Sequence, residues 1–179
     1  MGCEKLLKIS ETVGSDITYM LRGGLGRLRG KGDWAVFFSL KNPLYFALTT
    51  FAQELSSGEI YAIFDKLTHG HPNEEKYLQY ACSNEQFLTF LQRGDNDQAL
   101  KYFANDLQQA TVTINDYAEQ YLSFCNGHGL NTVMTGSGSA YYIAFSDSEE
   151  AKNAVKLLNS NGFDTTFCQS VPNGIEIIE

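Results

Sequence analysis

The sequence is poor in positive charge, in proline and in long apolar runs. Its 179 residues carry 13 Lys and Arg against 21 Asp and Glu, which argues against wide contact with the phosphates of a nucleic-acid duplex. Only 3 prolines, with 43% hydrophobic residues, exclude a disordered or fibrous chain. The longest apolar runs, 34–38 and 44–51, are too short to span a membrane. We expect a globular chain without nucleic-acid or membrane partners.

Cysteine is scarce, and no Cys-x-x-Cys pair occurs. The 4 cysteines are dispersed, at Cys3, Cys82, Cys125 and Cys168. The opening Met-Gly-Cys-Glu-Lys-Leu has Leu6 where N-myristoylation needs Ser or Thr, and the apolar stretch that follows is too short for a secretory signal. Dispersed cysteines without a secretory signal are typical of reduced thiols, so we expect a cytoplasmic location.

Histidine is equally scarce, with 3 in the chain. His69 and His71 flank a glycine and precede Pro72, which predicts a loop. No third ligand lies near them in the sequence, so no zinc site is predicted, and no Ser-His-Asp triad can be argued. A polar group further along predicts a solvated face and comprises Gln108, Gln109 and Asn115.

Glycine and basic residues concentrate at the start of the chain, over residues 1–33. Its glycines include those at 14, 23, 24, 26, 30 and 32, and a basic cluster among them comprises Arg22, Arg27, Arg29 and Lys31. Such a segment cannot build a core of its own. Composition alone leaves two interpretations open, a piece that packs on something else or a mobile tail.

From residue 34 the apolar pattern becomes regular. Aromatic and β-branched runs predict strands over 34–38, 44–51, 130–134, 140–145, 163–169 and 174–178. Apolar periodicity and Ser-x-x-Glu capping boxes at 56–59 and 146–149 predict helices from 56 to 67, over 84–93 and 114–125, and from 146 to 158. A further helix is predicted after Gly94, with Asp95 as its cap and Leu100, Phe103 and Leu107 as its apolar stripe. The strand–loop–strand–helix–strand order of the last third predicts an α+β fold, with a ferredoxin-like split βαβ antiparallel sheet backed by helices.

The segment Met-Thr-Gly-Ser-Gly-Ser, 134–139, joins two of the predicted strands. Gly136 and Gly138 would let the backbone approach a ligand closely, and successive amides in such a turn can bind an anion. Ser137 and Ser139 add hydroxyl groups. An ordinary turn between strands has the same composition, and no Gly-Lys-Ser/Thr follows, so this is not a Walker loop.

Two further positions each allow a structural and a functional interpretation. Asp16, just before the apolar run 17–21, has the position of a helix N-cap, which the spacing favours. In its basic, glycine-rich surroundings the same carboxylate could accept a proton from a hydroxyl that attacks a phosphate. Tyr61, one turn into a predicted helix, is either a ring on which a base stacks or part of the core.

Three segments, in this order, resemble the 4-diphosphocytidyl-2-C-methyl-D-erythritol kinases of the GHMP superfamily. They are Gly-Ser-Asp-Ile-Thr-Tyr-Met-Leu at 14–21 with its following glycines, Ser-Ser-Gly-Glu-Ile-Tyr at 56–61, and the third glycine motif of the superfamily at 134–139. The resemblance covers essentially the whole chain. It departs from the family pattern at Ser57, where Thr is usual, and at Thr18, where Pro is usual.

The resemblance implies ATP-dependent phosphorylation, with Mg²⁺, of the 2-hydroxyl of 4-diphosphocytidyl-2-C-methyl-D-erythritol in the non-mevalonate isoprenoid pathway. It implies that Asp16 is the catalytic base and that Ser57 and Tyr61 line the cytidine end of the substrate. It also implies that the floor between substrate and phosphates is formed by Gly136, Ser137, Gly138 and Ser139. A remnant of the N-terminal ATP-binding domain would cover 1–38 and the GHMP C-terminal domain 39–179.

Two motifs of the family do not occur in the sequence: the one with the lysine that partners the aspartate, and the Pro-x-x-x-Gly-Leu-Gly-Ser-Ser loop that holds ATP phosphates. We therefore expect the C-terminal portion of such a kinase, with negligible activity alone. Leu21, Leu25 and Leu28 would face the missing half and cause self-association. Two alternatives remain, a non-enzymatic module that binds a ligand or partner through the Tyr61 face, and another GHMP kinase, such as a homoserine or mevalonate kinase.

Overall fold

The computed structural model describes residues 9, 12–14, 16–30, 34–52, 55–68 and 74–175, with the backbone alone for 74–82. The helices are α1 Ile17–Arg22, α2 Ser57–Leu67, α3 Glu74–Arg93, α4 Asn96–Ala99, α5 Gln108–Val112, α6 Asp116–Gly127 and α7 Ser148–Ser160. The strands are β1 Leu25–Arg29, β2 Trp34–Phe38, β3 Tyr45–Thr50, β4 Thr132–Met134, β5 Tyr141–Phe145 and β6 Asp164–Gln169. No helix of this described part combines the length and the hydropathy that a membrane crossing needs.

Four strands form one antiparallel sheet in the order β4-β5-β3-β6. Helices α2 to α6 lie between β3 and β4 in the chain, and α7 connects β5 to β6. Because β5 pairs with β3 and so separates β3 from β4, this is the split βαβ arrangement of the ferredoxin-like fold. The predicted α+β fold is confirmed. Strands β1 and β2 form a separate antiparallel hairpin, and the predicted domain boundary at 38/39 stays a prediction.

The two faces of the sheet bury different clusters, because successive side chains of a strand point to opposite faces. Ala47 and Ile143 lie in the first cluster, which packs against α6 and α7 and includes Tyr121, Met134, Tyr141 and Leu158. Phe46 packs against the second cluster, which is built on Leu44, Leu91 and Ala99. Both faces of the sheet are therefore covered.

Leu25 of β1 packs against the second cluster. The prediction that it faces a missing half is therefore wrong, because the β1–β2 hairpin packs against the same core as the sheet. Leu21 and Leu28 are half-buried. Among the described residues up to Phe38, the exposed large apolar side chains are Ile9, Val13, Ile17, Met20 and Trp34. Self-association stays a prediction.

The helix predicted to follow Asp95 begins where expected, and the Asp95 side chain accepts a hydrogen bond from the Gln98 amide, but the helix is too short to include Phe103 and Leu107. A 3₁₀ turn, Leu100–Tyr102, follows α4, and Phe103 is already extended, with φ −68° and ψ 120°. The backbone bends again at Asn105, whose Oδ1 accepts a hydrogen bond from the amide of Leu107 at 2.9 Å. A side chain that bonds the backbone two residues on stabilises a turn at the expense of a helix.

The other boundaries differ by smaller amounts. Helix α3 begins ten residues earlier than predicted, at Glu74. Helix α7 is capped by Asp147, which accepts hydrogen bonds from the amides of Glu149 and Glu150, and not by the predicted Ser146. The described part of the predicted strand 174–178 is irregular, and 176–178 lie outside the described residues.

The segment 172–174 crosses the end of α1 at backbone contact. The amide of Gly174 donates to the carbonyl of Arg22 at 2.9 Å. A Cβ at position 174 would lie 1.9 Å from the carbonyl oxygen of Met20, and one at Gly23 would lie 2.2 Å from the Gly174 nitrogen. Only glycine at these positions lets the two backbones approach so closely.

Candidate functional site

The first residue of α2 meets the loop between β4 and β5. Ser57 Oγ lies 2.6 Å from Ser137 Oγ, so one hydroxyl donates to the other. Helix α2 begins after Ser56, and its Ile60 is fully buried, which fixes the helix against α5. The structure thereby brings together two of the sequence-predicted segments, 56–61 and 134–139.

The loop over 135–139, hereafter the glycine loop, needs glycine for its conformation. Gly136 and Gly138 have φ of 56° and 90°, in the region that L side chains rarely adopt. A Cβ at Gly138 would lie 3.0 Å from Met134 Sδ and 3.4 Å from Leu55 Cδ1. Both the torsion angles and the close packing therefore favour glycine at this position.

The glycine loop presents backbone donors without acceptors. Two of its amides are used internally, Thr135 to the carbonyl of Ala140 at 2.9 Å and Gly138 to the carbonyl of Thr135 at 3.0 Å. The amides of Gly136, Ser137 and Ser139 have no acceptor among the residues that the structure describes. Neighbouring amides without acceptors can bind an anion.

Tyr61 lies one helical turn after Ser57, on the same face of α2. Its side chain is 55% exposed, whereas that of its neighbour Ile60 is buried. The interpretation of Tyr61 as a core residue is therefore wrong. An exposed phenol ring next to a hydroxyl group can stack on a nucleobase; this role stays a prediction.

Asp16 occupies the N-cap position of α1, as its spacing predicted, but its side chain makes no capping hydrogen bond. Helix α1 is held against the β1–β2 hairpin. The Tyr19 hydroxyl donates to the carbonyl of Gly24 at 2.8 Å, and the ring of Phe37 stacks on Tyr19 with centroids 6.4 Å apart. The catalytic role of Asp16 stays a prediction, and His69 and His71 lie outside the described residues.

The groups behind the glycine loop hold their protons at neutral pH. Tyr141 pairs with Met134 across the strands, and burial raises the pKa of its hydroxyl to about 12. Burial also raises the pKa of the Cys125 thiol to about 11, although a hydrogen bond with Tyr121 lowers it slightly. Neither group can serve as a proton acceptor near neutral pH.

The described part of the chain contains no group of three or more His, Cys, Asp or Glu side chains that could hold a metal ion. The amides of the glycine loop that have no acceptor in the described residues are hydrogen-bond donors, and the phosphate oxygens of ATP are acceptors that suit them. The described residues do not form a site for Mg²⁺ by themselves, so no Mg²⁺ ligand is assigned and no step is derived through the metal.

The hydrogen bonds of Asn105 and Gln108 with the backbone of residues 134–136 were missed in the sequence. Asn105 Nδ2 donates to the carbonyls of Met134 and Gly136, at 2.7 and 2.8 Å. Gln108, expected on a solvated face, accepts from the amide of Met134 at 2.8 Å, and Asn115 is buried as the N-cap of α6. A short polar residue between Phe103 and Leu107 was the available signal, because it favours a turn over a helix.

Comparison with known proteins gives a consistent result. Residues 87–163 match the family model "GHMP kinases C terminal". A 4-diphosphocytidyl-2-C-methyl-D-erythritol kinase of Prochlorococcus marinus is 26% identical over 99% of this chain and 60% of its own length. The protein of that name from Cutibacterium acnes is 29% identical over 83% of this chain and 46% of its own. The chain thus spans about half to three-fifths of these relatives.

Solved structures of three small-molecule kinases share the fold. A 4-(cytidine 5'-diphospho)-2C-methyl-D-erythritol kinase has a TM-score of 0.64 at 18% identity, and covers 92% of this chain and 56% of its own. Homoserine kinase of Cytophaga hutchinsonii has a TM-score of 0.63 at 15% identity, over 88% of this chain and 51% of its own. L. major mevalonate kinase has a TM-score of 0.63 at 20% identity, over 88% of this chain and 51% of its own. Residues 87–163 thus match the C-terminal domain of GHMP kinases, and the chain has the fold that these three kinases share.

Proposed function

We propose that this chain serves the transfer of the γ-phosphoryl group of ATP to the 2-hydroxyl of 4-diphosphocytidyl-2-C-methyl-D-erythritol. The observation that carries the proposal is the contact between Ser57 and Ser137, because it joins two of the three segments that resemble this kinase family. The relatives of that name support the choice of substrate, since their similarity extends over most of the chain.

The glycine loop would bind phosphate oxygens. The amides of Gly136, Ser137 and Ser139 have no acceptor in the described part of the chain, and a phosphate accepts hydrogen bonds from such donors strongly because it is charged. ATP, when bound, supplies the phosphoryl group. Positioning and charge stabilisation would provide most of the rate acceleration of the transfer.

Ser57 and Tyr61 would bind the cytidine end of the substrate. Their side chains share one face of α2, and the Tyr61 ring is 55% exposed. Stacking of a base on an aromatic ring contributes about 1–3 kcal/mol. Because Ser57 also contacts Ser137, the cytidine end of the substrate would lie next to the phosphate oxygens that the glycine loop binds.

Asp16 would accept the proton of the 2-hydroxyl as that oxygen attacks the γ-phosphorus. The bond between the γ-phosphorus and the bridging oxygen then breaks, and ADP leaves with the electron pair. Support comes from the match of Gly-Ser-Asp at 14–16 to the family motif.

Another small alcohol is the competing substrate class. The TM-scores of 0.64, 0.63 and 0.63 to kinases of three different names do not separate them. The sequence relatives favour the diphosphocytidyl substrate. A ligand titration can decide between these classes, because it does not depend on turnover.

The experiment is a titration of the ¹⁵N-labelled chain with the diphosphocytidyl substrate, homoserine or mevalonate, observed by NMR. We expect the first ligand to shift the amides of Ser57, Tyr61 and the glycine loop. Tyr61→Ala should weaken its binding about tenfold, through loss of stacking. The matched control is Tyr117→Ala, a tyrosine on α6 that is 64% exposed. Equal shifts with all three ligands, or none, would refute the proposal.

A further inference from the structure

Asn105 bonds the glycine loop at two points. Its Nδ2 donates to the carbonyl of Met134 at 2.7 Å, where the loop leaves β4, and to the carbonyl of Gly136 at 2.8 Å, in the middle of the loop. Its Oδ1 accepts from the amide of Leu107 at 2.9 Å, so the side chain is itself held in place. Both protons of one amide group are therefore used to fix the loop.

These two bonds determine where the next amides point. In a trans peptide the carbonyl and the following N–H lie on opposite sides of a rigid plane, and the peptides after Met134 and Gly136 are both trans. With the Met134 carbonyl held at Asn105, the Thr135 amide points the other way and bonds the carbonyl of Ala140 at 2.9 Å. By the same geometry, the Ser137 amide points away from Asn105.

The Ser137 amide is one of the three that have no acceptor in the described residues. The side-chain hydroxyl of Ser137 is hydrogen-bonded to that of Ser57, with 2.6 Å between the two Oγ atoms. The orientation of this residue is thus set from two sides, its peptide by Asn105 and its hydroxyl by Ser57. A donor that is fixed before the ligand arrives costs less conformational entropy on binding.

We propose that Asn105 is a positioning residue that directs the Ser137 amide at a phosphate oxygen of the ligand, without touching the ligand itself. This inference rests on the proposed function in so far as the ligand carries phosphate. It requires a side chain that donates two hydrogen bonds at this position. Aspartate has the same shape but only accepts when ionised, so it would face two carbonyl oxygens and repel them.

Gln108 provides a matched control. Its Oε1 accepts from the amide of Met134 at 2.8 Å, and the carboxylate of Gln108→Glu can accept the same bond. Asn105→Asp and Gln108→Glu therefore make the same chemical change and add the same charge next to the same loop. Of these two variants, only Asn105→Asp removes the donor that orients the 136–137 peptide. Asn105→Leu removes the donor without adding charge.

The experiment uses two probes on the ¹⁵N-labelled chain, pyrophosphate for the anion and cytidine for the nucleoside. We expect pyrophosphate to shift the Ser137 amide of the wild type. Asn105→Asp and Asn105→Leu should weaken pyrophosphate binding about tenfold, the effect of losing one hydrogen bond to a charged group. They should leave cytidine binding within about twofold, and Gln108→Glu should leave both probes within about twofold.

Three results would overturn the inference: no shift of the Ser137 amide by pyrophosphate, unchanged pyrophosphate affinity in both Asn105 variants, or loss in Gln108→Glu equal to that in Asn105→Asp. Equal loss for pyrophosphate and cytidine would show a merely structural role and would also overturn it. If pyrophosphate behaves as expected and cytidine does not bind, the proposed substrate is wrong while the role of Asn105 stands.

Discussion

The rings of Tyr121 and Tyr141 lie with their centroids 5.5 Å apart in the first core cluster, but only one of their hydroxyls is satisfied. The Tyr121 hydroxyl accepts from Thr49 and from Thr132, each at 3.2 Å. The Tyr141 hydroxyl is buried and has no partner among the described residues. Both rings are buried in the core, but only the hydroxyl of Tyr141 carries the desolvation cost of a polar group without a partner among the described residues.

We predict that Tyr141→Phe leaves the free energy of unfolding unchanged or raises it by up to ~1 kcal/mol, because it removes a buried hydroxyl without a partner. Tyr121→Phe should lower that free energy by ~1–2 kcal/mol, since Thr49 and Thr132 lose their shared acceptor. Urea unfolding of both variants measures the difference. Equal losses in the two variants would contradict this account.

The same burial predicts a dependence of stability on alkaline pH. Burial raises the pKa of Cys125 to about 11 and that of Tyr141 to about 12, whereas in the unfolded chain these groups lose their protons near pH 8.5 and 10. Between these values the folded state holds protons that the unfolded state has released. Stability should therefore be constant with respect to both groups up to about pH 8 and fall from there to about pH 12.

This fall can be assigned with two variants. Cys125→Ala and Tyr141→Phe each remove one of the groups, so each should flatten the decline of the unfolding free energy between about pH 8 and 12. Urea titrations at a series of pH values provide the measurement. A wild-type profile that is flat up to about pH 12 would be incompatible with the burial of these groups.

The contact between Ser57 and Ser137 can be tested with a double-mutant cycle. Ser57→Ala and Ser137→Ala remove the same hydrogen bond, so their effects on the unfolding free energy should not add. We expect a coupling of ~0.5–1 kcal/mol, because the pair is exposed to water. Ser160 on α7, which bonds the carbonyl of Leu157, gives a distant control: Ser57→Ala with Ser160→Ala should be additive. Strict additivity in both cycles would show that the contact does not form in solution.

The crossing of 172–174 over α1 predicts that a single methyl group added at position 174 lowers the stability of the protein strongly. Gly174→Ala would place its Cβ 1.9 Å from the Met20 carbonyl oxygen, so the backbones must separate and the bond from Gly174 to Arg22 must break. We expect a lower melting temperature and faster amide exchange in α1. Gly127→Ala, at a helical position with no atom within 4 Å of the added Cβ, should not lower the melting temperature. Equal melting temperatures for both variants would exclude the crossing.

Much of the fold was predictable because its signals are local. Alternation or continuity of apolar residues located β5 and β6, and capping residues with a 3.6-residue period located α6 and α7 to within a few residues. The helix expected to run from the Asp95 cap through Leu107 shows the limit of that reasoning, because only its start was predicted correctly. Leu100, Phe103 and Leu107 have helical spacing, yet the Asn105 side chain stabilises a turn by bonding the Leu107 amide and two carbonyls of a distant loop.

The candidate site was predictable in its parts and not in its assembly. Tyr61 and the glycine loop were identified from residue types, but no local pattern reveals that Ser57 bonds Ser137, since that contact depends on how α2 packs on the sheet. Gln108 was assigned to a solvated face because helical position does not show which neighbour a polar side chain meets. Long-range hydrogen bonds of this kind follow from the tertiary structure alone.

The bond from Gly174 to Arg22 joins two segments that are far apart in the chain. Closing the long loop between them is entropically costly until the strands in between are paired. The contacts of Tyr19 with Gly24 and Phe37 close only short loops, so they can hold α1 on its hairpin without that bond. Cleavage of the chain just before residue 172 would therefore untie α1 from the strand β6 while leaving it seated on β1 and β2.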